Sequence, residues 1–380
     1  MKGFALKQLL LALVLSAAAC GGTGAQVDGG QDGTDVDAGP DGSGDFSEDA
    51  GSDGSGDLAA DGGDRADGGD WTDGGEEQNF EARGVWVTRW NYSSAADIQE
   101  IVSYLASHGF NQLYFQVRGT ADAYYASSIE PWAARLSGSL GEDPGWDPLQ
   151  VAIEEAHAEG IEVHAWLNTF PAWNCGSADP YSAGIPHVLE THPEWAAADS
   201  NGTSMYGNCQ DGYVFLSPGN PAARDHIRAV IEDIVANYAV DGIHLDYIRY
   251  PGTGYSHDAV SLARFTEAQA DDPDLAFEDW QRAQINTLVA DAYTAIEALR
   301  PEVVLSAAVW FIYQNIWGWS AVSQGYSQYY QDPRAWTAAG DIDVVVPMIY
   351  FPLSDPPGER LDFAAMLADH VEGNSNRLVY

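Results

Sequence analysis

Lysine is almost absent from this chain of 380 residues: Lys2 and Lys7 are the only two, and both stand before the first long apolar run. The rest of the chain therefore has no amine that could form a Schiff base with a carbonyl substrate. It also has no P-loop, because that phosphate-binding motif requires a lysine. The sequence excludes both kinds of chemistry.

Basic charge of any kind is scarce. The chain has 57 acidic and 16 basic residues, which gives a formal net charge of -41. Beyond residue 78 there are 40 acidic side chains and 13 basic ones, all of them arginine. Nucleic acids are bound through basic side chains that neutralise phosphates. We therefore expect no nucleic-acid partner.

Two further classes of catalytic motif are missing. The nine histidines include no His-x-x-x-His or His-Glu-x-x-His spacing, and His187 and His192 have no partner cluster that would complete a metal site. No Gly-x-Ser-x-Gly elbow of a serine hydrolase occurs. The sequence predicts chemistry without a bound metal or cofactor.

The amino terminus has the pattern of an export signal. Its apolar run over residues 9–14 follows two lysines and is too short to span a membrane as a mature helix. Small residues from Ala17 to Ala19 precede Cys20, and this end resembles a bacterial lipobox. Residues 1–20 are therefore predicted to be a lipoprotein-type signal peptide. We expect Cys20 to carry a lipid that anchors the exported protein at the cell envelope, in the outer membrane if the source is Gram-negative. Cleavage by ordinary signal peptidase near Ala19 is the alternative.

Residues 21–78 consist mainly of Asp-Gly, Gly-Gly and Gly-Ser steps. They contain 17 acidic residues and one basic residue, Arg65. Such a segment cannot bury enough apolar surface to offset the entropy of ordering, and its like charges repel one another. We predict a disordered acidic linker. A calcium-binding nonapeptide repeat is the alternative, but no apolar residue recurs at a fixed position.

Cysteine usage agrees with export. Besides Cys20 the chain has only Cys175 and Cys209, an even pair within one long loop. An oxidising compartment favours a disulfide between them. Two free thiols are the alternative.

Residues 79–380 alternate between strand and helix patterns. Strand-like runs cover Gly84 to Trp90, Gln112 to Arg118, Ile161 to Asn168, Gly242 to Tyr250, Val303 to Trp310, Asp343 to Phe351 and Arg377 to Tyr380. Between them, helical spacing stops at Gly109, begins again after Asp147-Pro148 and Asn220-Pro221, and stops at Pro301. This alternation predicts an α/β domain with a parallel sheet.

The loops of this domain are unequal. Connections from helix to strand are short, whereas those after the strands that end near Arg118, Asn168, Tyr250 and Trp310 are long. Long loops on one face are typical of a (β/α)8 TIM-type barrel with its site at the carboxyl-terminal rim. A doubly wound sheet is the alternative, but no Gly-x-Gly-x-x-Gly follows the first strand. Because a closed barrel needs an eighth strand and only seven are visible, we expect the C-terminal end of the barrel to be missing from this chain.

The segment from Asp241 to Pro251 carries the clearest functional signal. Its apolar strand core ends in Asp246, Tyr247 and Arg249, where a barrel enzyme keeps its reactive side chains. An ordinary strand would end in turn residues. We therefore place the predicted active site at this strand end.

Seven stretches together resemble the bacterial glycosyl hydrolase-like 10 family, in order across residues 81–380. They are Arg83 to Val87, Gln116 to Arg118, Ile129 to Trp132, Val163 to Asn168, Asp241 to Pro251, Tyr330 to Asp332 and Val346 to Tyr350. The resemblance implies an exported or lipid-anchored barrel that hydrolyses a polysaccharide. Some members are implicated in cutting peptidoglycan glycan strands that have lost their peptides.

A more distant similarity is to family-18 chitinases, whose fourth strand follows the pattern Asp-Gly-x-Asp-x-Asp-x-Glu. Here His244 replaces one aspartate and Ile248 replaces the glutamate that protonates the glycosidic oxygen. An isoleucine cannot donate a proton, so the substrate-assisted chitinase route is not expected. Asp246 is the carboxylate that remains.

Glycoside hydrolysis ordinarily uses two carboxyl groups, one protonated and one ionised. We predict Asp246 as the ionised member, acting as nucleophile or base; pairing with Arg249 alone is the alternative. Asp122 and Asp332 are candidates for the second carboxyl. Asp332 precedes a proline and would equally suit the N-cap of a helix. Glu130 is a weaker candidate, in a loop before Pro131.

Other side chains near the strand ends are predicted to bind substrate: Arg118, His164, Trp166, Asn168, Tyr247, Arg249, Trp310 and Tyr350. For the arginines, orienting a carboxylate is the alternative, and for His164 and Trp166 it is filling the barrel interior. Loop tryptophans that would suit stacking on sugar rings are Trp132, Trp173, Trp310, Trp317 and Trp319. A surface-anchored carbohydrate-binding protein without catalysis remains the competing hypothesis for function.

Overall fold

Seven parallel strands form one curled sheet in the computed structural model, which describes residues 81–210, 212–353, 360–374 and 377–380. The strands are β1 (Gly84–Val87), β2 (Gln112–Arg118), β3 (Glu162–Asn168), β6 (Gly242–Asp246), β7 (Val304–Val309), β8 (Val344–Pro347) and β9 (Leu378–Val379), hydrogen-bonded in that order. The signal peptide, the lipidated Cys20 and the linker 21–78 predicted from sequence lie outside the described residues.

The helices that follow the strands complete the α/β alternation. They are α1 (Ala95–Ser107), α2 (Ala134–Ser137), α3 (Pro148–Ala158), α4 (Val188–Thr191), α5 (Pro221–Asn237), α6 (Ala259–Asp271), α7 (Phe277–Leu299), α8 (Pro333–Ala339) and α9 (Phe363–Gly373). Asp147 and Asn220 cap the first turns of α3 and α5 through their side chains, as the Asp-Pro and Asn-Pro pairs predicted. The predicted α/β class is confirmed. Among the described residues, no helix has the length and apolarity needed to cross a membrane.

The sheet is buried on both faces because its strands alternate between helix-facing and interior side chains. In β2, Leu113, Phe115 and Val117 belong to the apolar core. Tyr114, between Leu113 and Phe115, instead stacks on the ring of Trp86 from β1, with 4.1 Å between ring centroids. Functional side chains at the strand ends are thus held by a packed interior.

Each predicted strand is present, but several end earlier than their apolar runs suggested. The strand β6 stops at Asp246 because Tyr247 adopts a left-handed backbone conformation, with a φ of 50°. Tyr247 to Tyr250, which the pattern placed in the strand, therefore form the start of the loop. This turn carries the polar end of the segment onto the carboxyl-terminal rim.

A second, two-stranded antiparallel sheet lies in the loops after β3. It pairs β4 (Pro171–Asn174) with β5 (Tyr213–Phe215) and was not predicted from the sequence. The disulfide between Cys175 and Cys209 is present beside it, with 5.2 Å between the Cα atoms, so that prediction is confirmed. A covalent link thus closes the loop at the end of β4.

Candidate active site

The barrel interior beneath the rim is filled by aromatic rings. Tyr114 lies 4.8 Å from both His164 and His244, measured between ring centroids. His164 is buried, and a methyl group at Gly242 would overlap it, so this ring packs against the backbone of β6. His164 was predicted to bind substrate, but the structure places it in the interior filling, which was the alternative.

His244 is held in one neutral tautomer by its two neighbours. The indole N–H of Trp86 donates to Nε2 at 3.1 Å, which leaves Nδ1 to donate to the Ser306 hydroxyl at 2.9 Å. Ser306 in turn donates to the carbonyl of Ile243. Burial, reinforced by repulsion from His164, lowers the pKa of His244 to about 3. This side chain supports the site from below and is neutral at pH 7, with its one N–H proton on Nδ1.

Asp246 lies at the end of β6, directly above this filling. Its Oδ1 accepts a hydrogen bond from the backbone N–H of Tyr247 at 2.7 Å. Burial raises the pKa of Asp246, and this effect outweighs the lowering by Arg249, by the Tyr247 N–H and by the nearby indole of Trp166. The pKa of Asp246 is thus shifted upward, which makes a role as proton donor a second possibility beside the predicted role as the ionised carboxyl.

Arg249 lies three residues beyond Asp246, within an aromatic cage formed by Tyr247, Trp310 and Tyr329. The guanidinium carbon is 4.5 Å, 5.0 Å and 5.5 Å from the centroids of these rings in that order. The structure thus brings together five of the predicted site residues: Asp246, Trp166, Tyr247, Arg249 and Trp310.

Arg118 pairs with a carboxylate, which was the alternative to substrate binding. It is fully buried, and its Nε and Nη2 donate to Glu130 at 2.8 Å each. Its Nη1 donates to the carbonyls of Asn168, Thr169 and Pro171. With its donors so engaged, Arg118 fastens the loops after β2 and β3 instead of facing a substrate.

Glu130, the weaker carboxyl candidate, is the centre of that arrangement. It also accepts a hydrogen bond from His226 of α5 at 3.0 Å. Burial alone would raise the pKa of Glu130, but Arg118 and His226 together lower it to about 2. A buried carboxylate that is paired twice is a structural anchor and cannot serve as a proton donor near neutral pH.

Asn168, at the end of β3, links β3 to β2 and to the loop that follows β2. Its side chain accepts a hydrogen bond from Gln116 at 3.2 Å and donates to the carbonyl of Gly119 at 3.1 Å. Asn168 is buried and lies beside Asp246 in the register of β3 and β6. The structure thus places this predicted substrate contact next to the site, with its amide already paired to protein groups.

Asp122 lies in the tight turn that follows β2. It accepts a hydrogen bond from the backbone N–H of Thr120 at 2.7 Å. Arg89, two residues beyond β1, lies close to Asp122. Burial lowers the pKa of Arg89, but the attraction to Tyr213 and Asp122 is larger, so the pKa is raised overall. Arg89 was not identified from the sequence. A signal was present, because Arg89 and Trp90 place a charged and an aromatic residue just after β1, as Asp246 and Tyr247 do at the end of β6.

Asp332 caps helix α8. Its Oδ1 accepts hydrogen bonds from the backbone N–H of Ala335 at 3.2 Å and from the Tyr313 hydroxyl at 3.0 Å. This is the structural alternative that its Asp-Pro sequence indicated. Of the two candidates for the second carboxyl, Asp122 is therefore the one without a helix to cap.

Aromatic side chains at the rim differ in exposure. Tyr350, predicted to bind substrate, is 50% exposed, and Trp90, which was missed, is 60% exposed. Arg89 and Arg135 each lie within 5 Å of the Trp90 ring centroid, at 4.8 Å and 4.7 Å. Trp317 and Trp319 stack on each other at 4.4 Å in the loop after β7. Exposed rings held in this way suit contact with the apolar face of a sugar.

No group of three or more potential metal ligands occurs within the part of the chain that the structure describes.

Two solved structures resemble this fold. One is the glycoside hydrolase domain of PgaB (BpsB) from Bordetella bronchiseptica, with a TM-score of 0.50, 14% identity, and coverage of 78% of this chain and 81% of that one. The other is the catalytic domain of β-amylase from Paenibacillus polymyxa, with a TM-score of 0.50, 13% identity, and coverage of 78% and 83%. These similarities concern the fold alone, and they confirm the predicted TIM-type barrel class.

Sequence relatives carry the comparison further. The chain is 30% identical over 289 residues to glycosyl hydrolase YngK of Bacillus subtilis (strain 168), covering 71% of this chain and 54% of that protein. It is 29% identical over 292 residues to glycosyl hydrolase DigH of Escherichia coli (strain K12), covering 73% and 63%. The chain thus spans less than two thirds of the length of these relatives. Residues 81–378 match the family described as glycosyl hydrolase-like 10, so the predicted family is confirmed and the chain belongs to it.

Proposed function

We propose that this protein is a glycoside hydrolase in which Asp246 donates the proton to the glycosidic oxygen. The observation that carries the proposal is the position of a carboxyl group at the end of β6, where burial raises its pKa. A general acid must hold its proton near the working pH, and burial is how enzymes keep a carboxyl group protonated. Membership of a glycosyl hydrolase-like family supports the same reaction class.

The surroundings of Asp246 suit a carboxyl group that gives up its proton. As the proton moves to the leaving oxygen, the new carboxylate keeps the hydrogen bond from the Tyr247 N–H at 2.7 Å. Arg249 and the indole of Trp166 already favour the ionised form. These groups stabilise charge that develops only during the reaction, which is how an enzyme lowers a barrier.

Asp122 is proposed as the ionised partner, with Arg89 beside it to stabilise the negative charge. It follows β2, which is separated from β6 by one strand, β3. Two strand spacings amount to roughly 10 Å. Retaining glycosidases need carboxyl groups about 5 Å apart, whereas inverting ones leave roughly 6.5–9.5 Å for a water molecule. We propose the inverting route, with Asp122 as the base that activates the water, because the two strand ends are farther apart than a retaining pair of carboxyl groups requires.

The substrate that we propose is a polysaccharide of the bacterial cell envelope, and specifically peptidoglycan glycan strands that have lost their stem peptides. The family resemblance supports this choice. Exposed Trp90 and Tyr350 on the rim would contact sugar rings on either side of the cleaved bond. The same resemblance and the lipobox-like end at Cys20 support a location at the cell envelope, with a lipid anchor. The disulfide between Cys175 and Cys209 fits an oxidising compartment.

The experiment incubates the purified chain with stem-free glycan strands, with stem-bearing strands and with chitin oligomers, and identifies products by mass spectrometry. The proposal predicts cleavage of the stem-free strands and inverted anomeric configuration in the first product, read by proton NMR. Saturable binding of glycan without any product would support the non-catalytic alternative.

A further inference from the structure

Two buried N–H donors near Asp246 have no acceptor among the described residues. They are Nη1 of Arg249 and the indole Nε1 of Trp310. Arg249 is 7% exposed and Trp310 is 9% exposed, so bulk water does not solvate these groups freely. Buried donors are paired in most proteins, and an unpaired set therefore indicates a missing acceptor.

The aromatic cage holds Arg249 in place. The Trp310 backbone is fixed by a hydrogen bond from its N–H to the side chain of Gln331 at 2.9 Å. Tyr329 lies against Trp310 with 4.2 Å between ring centroids. The rings satisfy the guanidinium through cation–π contacts, which leave the in-plane N–H groups available for a ligand.

No carboxylate in the described ranges forms an ion pair with Arg249. The charge of Arg249 lowers the pKa of Asp246, but no hydrogen bond or ion pair joins the two side chains. This is unusual in a chain with 57 acidic residues and only 16 basic ones. A buried guanidinium is ordinarily matched by an anion, and no residue in the described ranges supplies one in contact with Arg249.

We propose that Arg249, with the indole N–H of Trp310, binds a carboxylate carried by the substrate, so that the enzyme selects an acidic sugar at the cleaved bond. A carboxylate offers only acceptors, and the unpaired groups of Arg249 and Trp310 are both donors. The inference rests on the proposed function, because it names the substrate class of the same site. In a glycan strand without stem peptides, the lactyl group of the muramic acid ends in a free carboxylate. In a stem-bearing strand the same group is an uncharged amide, which removes the anion that Arg249 would bind.

The test uses two substrates that differ only in this charge. One is a preparation of stem-free peptidoglycan strands, and the other is the same preparation after its carboxylates have been converted to methylamides with carbodiimide and methylamine. Specificity is measured as kcat/KM on each. Affinity for the two strands is measured separately by isothermal titration calorimetry with the Asp246→Asn variant, which needs no turnover.

Wild-type enzyme is expected to prefer the acidic strands by about 10- to 100-fold, the range that one charge-assisted contact supplies. Arg249→Gln should slow cleavage of both strands, because Arg249 also acts on Asp246, but it should slow the acidic strands more and so remove the preference. Arg249→Lys keeps the charge but not the planar fork, and should retain part of the preference. Arg228→Gln, which removes a positive charge from the outer part of α5, is the matched control and should leave the preference unchanged.

Equal kcat/KM on the two strands by the wild type would overturn the inference while leaving the proposed function intact. Equal losses on both strands in Arg249→Gln, with unchanged melting temperature, would also overturn it. If the wild type cleaves neither strand, the proposed function fails, and the calorimetric affinities alone decide: tighter binding of the acidic strand supports the carboxylate site, and equal binding refutes it.

Discussion

Replacing Glu130 with glutamine tests whether this carboxylate is a structural anchor or part of the catalytic pair. The pKa of Glu130 is about 2 instead of the ordinary 4.5, because Arg118 and His226 overcome the effect of burial. A difference of that size corresponds to about 3 kcal/mol of stability. Removing one partner of a buried ion pair costs a similar amount, since the other charge is left unmatched. We expect Glu130→Gln to lower the free energy of unfolding by about 3 kcal/mol at pH 7.

The pH dependence of this loss has a definite sign. A carboxyl group with a lowered pKa stabilises the fold fully above its unfolded pKa of 4.5, and the contribution disappears as the pH falls toward 2. The difference between wild type and variant should therefore stay constant from pH 7 to pH 6. It should shrink to about 2 kcal/mol at pH 3.5.

The assay is urea unfolding followed by tryptophan fluorescence, together with calorimetric melting. For a domain the size of residues 81–378, the entropy of unfolding near the melting temperature is about 0.6 kcal/mol/K, so the melting temperature should fall by about 5 °C. Glu232→Gln is the matched control, because it breaks a partly exposed ion pair with Arg228 on α5 and should cost less than about 0.5 kcal/mol. Turnover below the melting temperature should remain within about threefold of wild type. A variant as stable as wild type that has lost turnover would refute the structural assignment and return Glu130 to the catalytic candidates.

Three further predictions concern the cap, the disulfide and the proton donor. Asp332→Ala should lower stability by about 1 kcal/mol in urea unfolding, as loss of a helix N-cap does, and should keep turnover within about threefold; loss of turnover without loss of stability would make Asp332 catalytic. Replacing both Cys175 and Cys209 with alanine should cost up to about 4 kcal/mol, from the chain-entropy relation applied to their separation of 34 residues, and an unchanged melting temperature would contradict this. The rate kcat/KM should fall as the pH rises through the raised pKa of Asp246, since only the protonated carboxyl donates, and a profile that rises there would contradict the assignment.

Much of the fold could be predicted because its pattern is local. Apolar runs marked all seven strands of the sheet, and the Asp-Pro and Asn-Pro pairs marked the starts of α3 and α5. The ends of the strands were less accurate. At β6 the apolar run continues through Ile248, and only the left-handed conformation of Tyr247 shows that the strand has already ended.

The sequence could group some residues of the candidate site but could not show what surrounds them. Asp246, Tyr247 and Arg249 are adjacent in sequence, so a strand end was enough to group them. Glu130 pairs with Arg118, 12 positions away, and with His226, 96 positions away, and nothing local indicates the second contact. The raised pKa of Asp246 likewise depends on burial by other strands and loops, which a single segment does not reveal.

The most direct test of the central claim compares Asp246→Asn with wild type on two kinds of substrate. One is the stem-free glycan strand, whose leaving sugar needs a proton, and the other is an aryl glycoside of the same sugar with a dinitrophenolate leaving group, which needs none. If Asp246 is the proton donor, kcat/KM on the strand should fall by about 10²- to 10⁴-fold, while kcat/KM on the aryl glycoside stays within about tenfold of wild type. Equal losses on the two substrates would contradict the account and show that Asp246 acts as nucleophile or base.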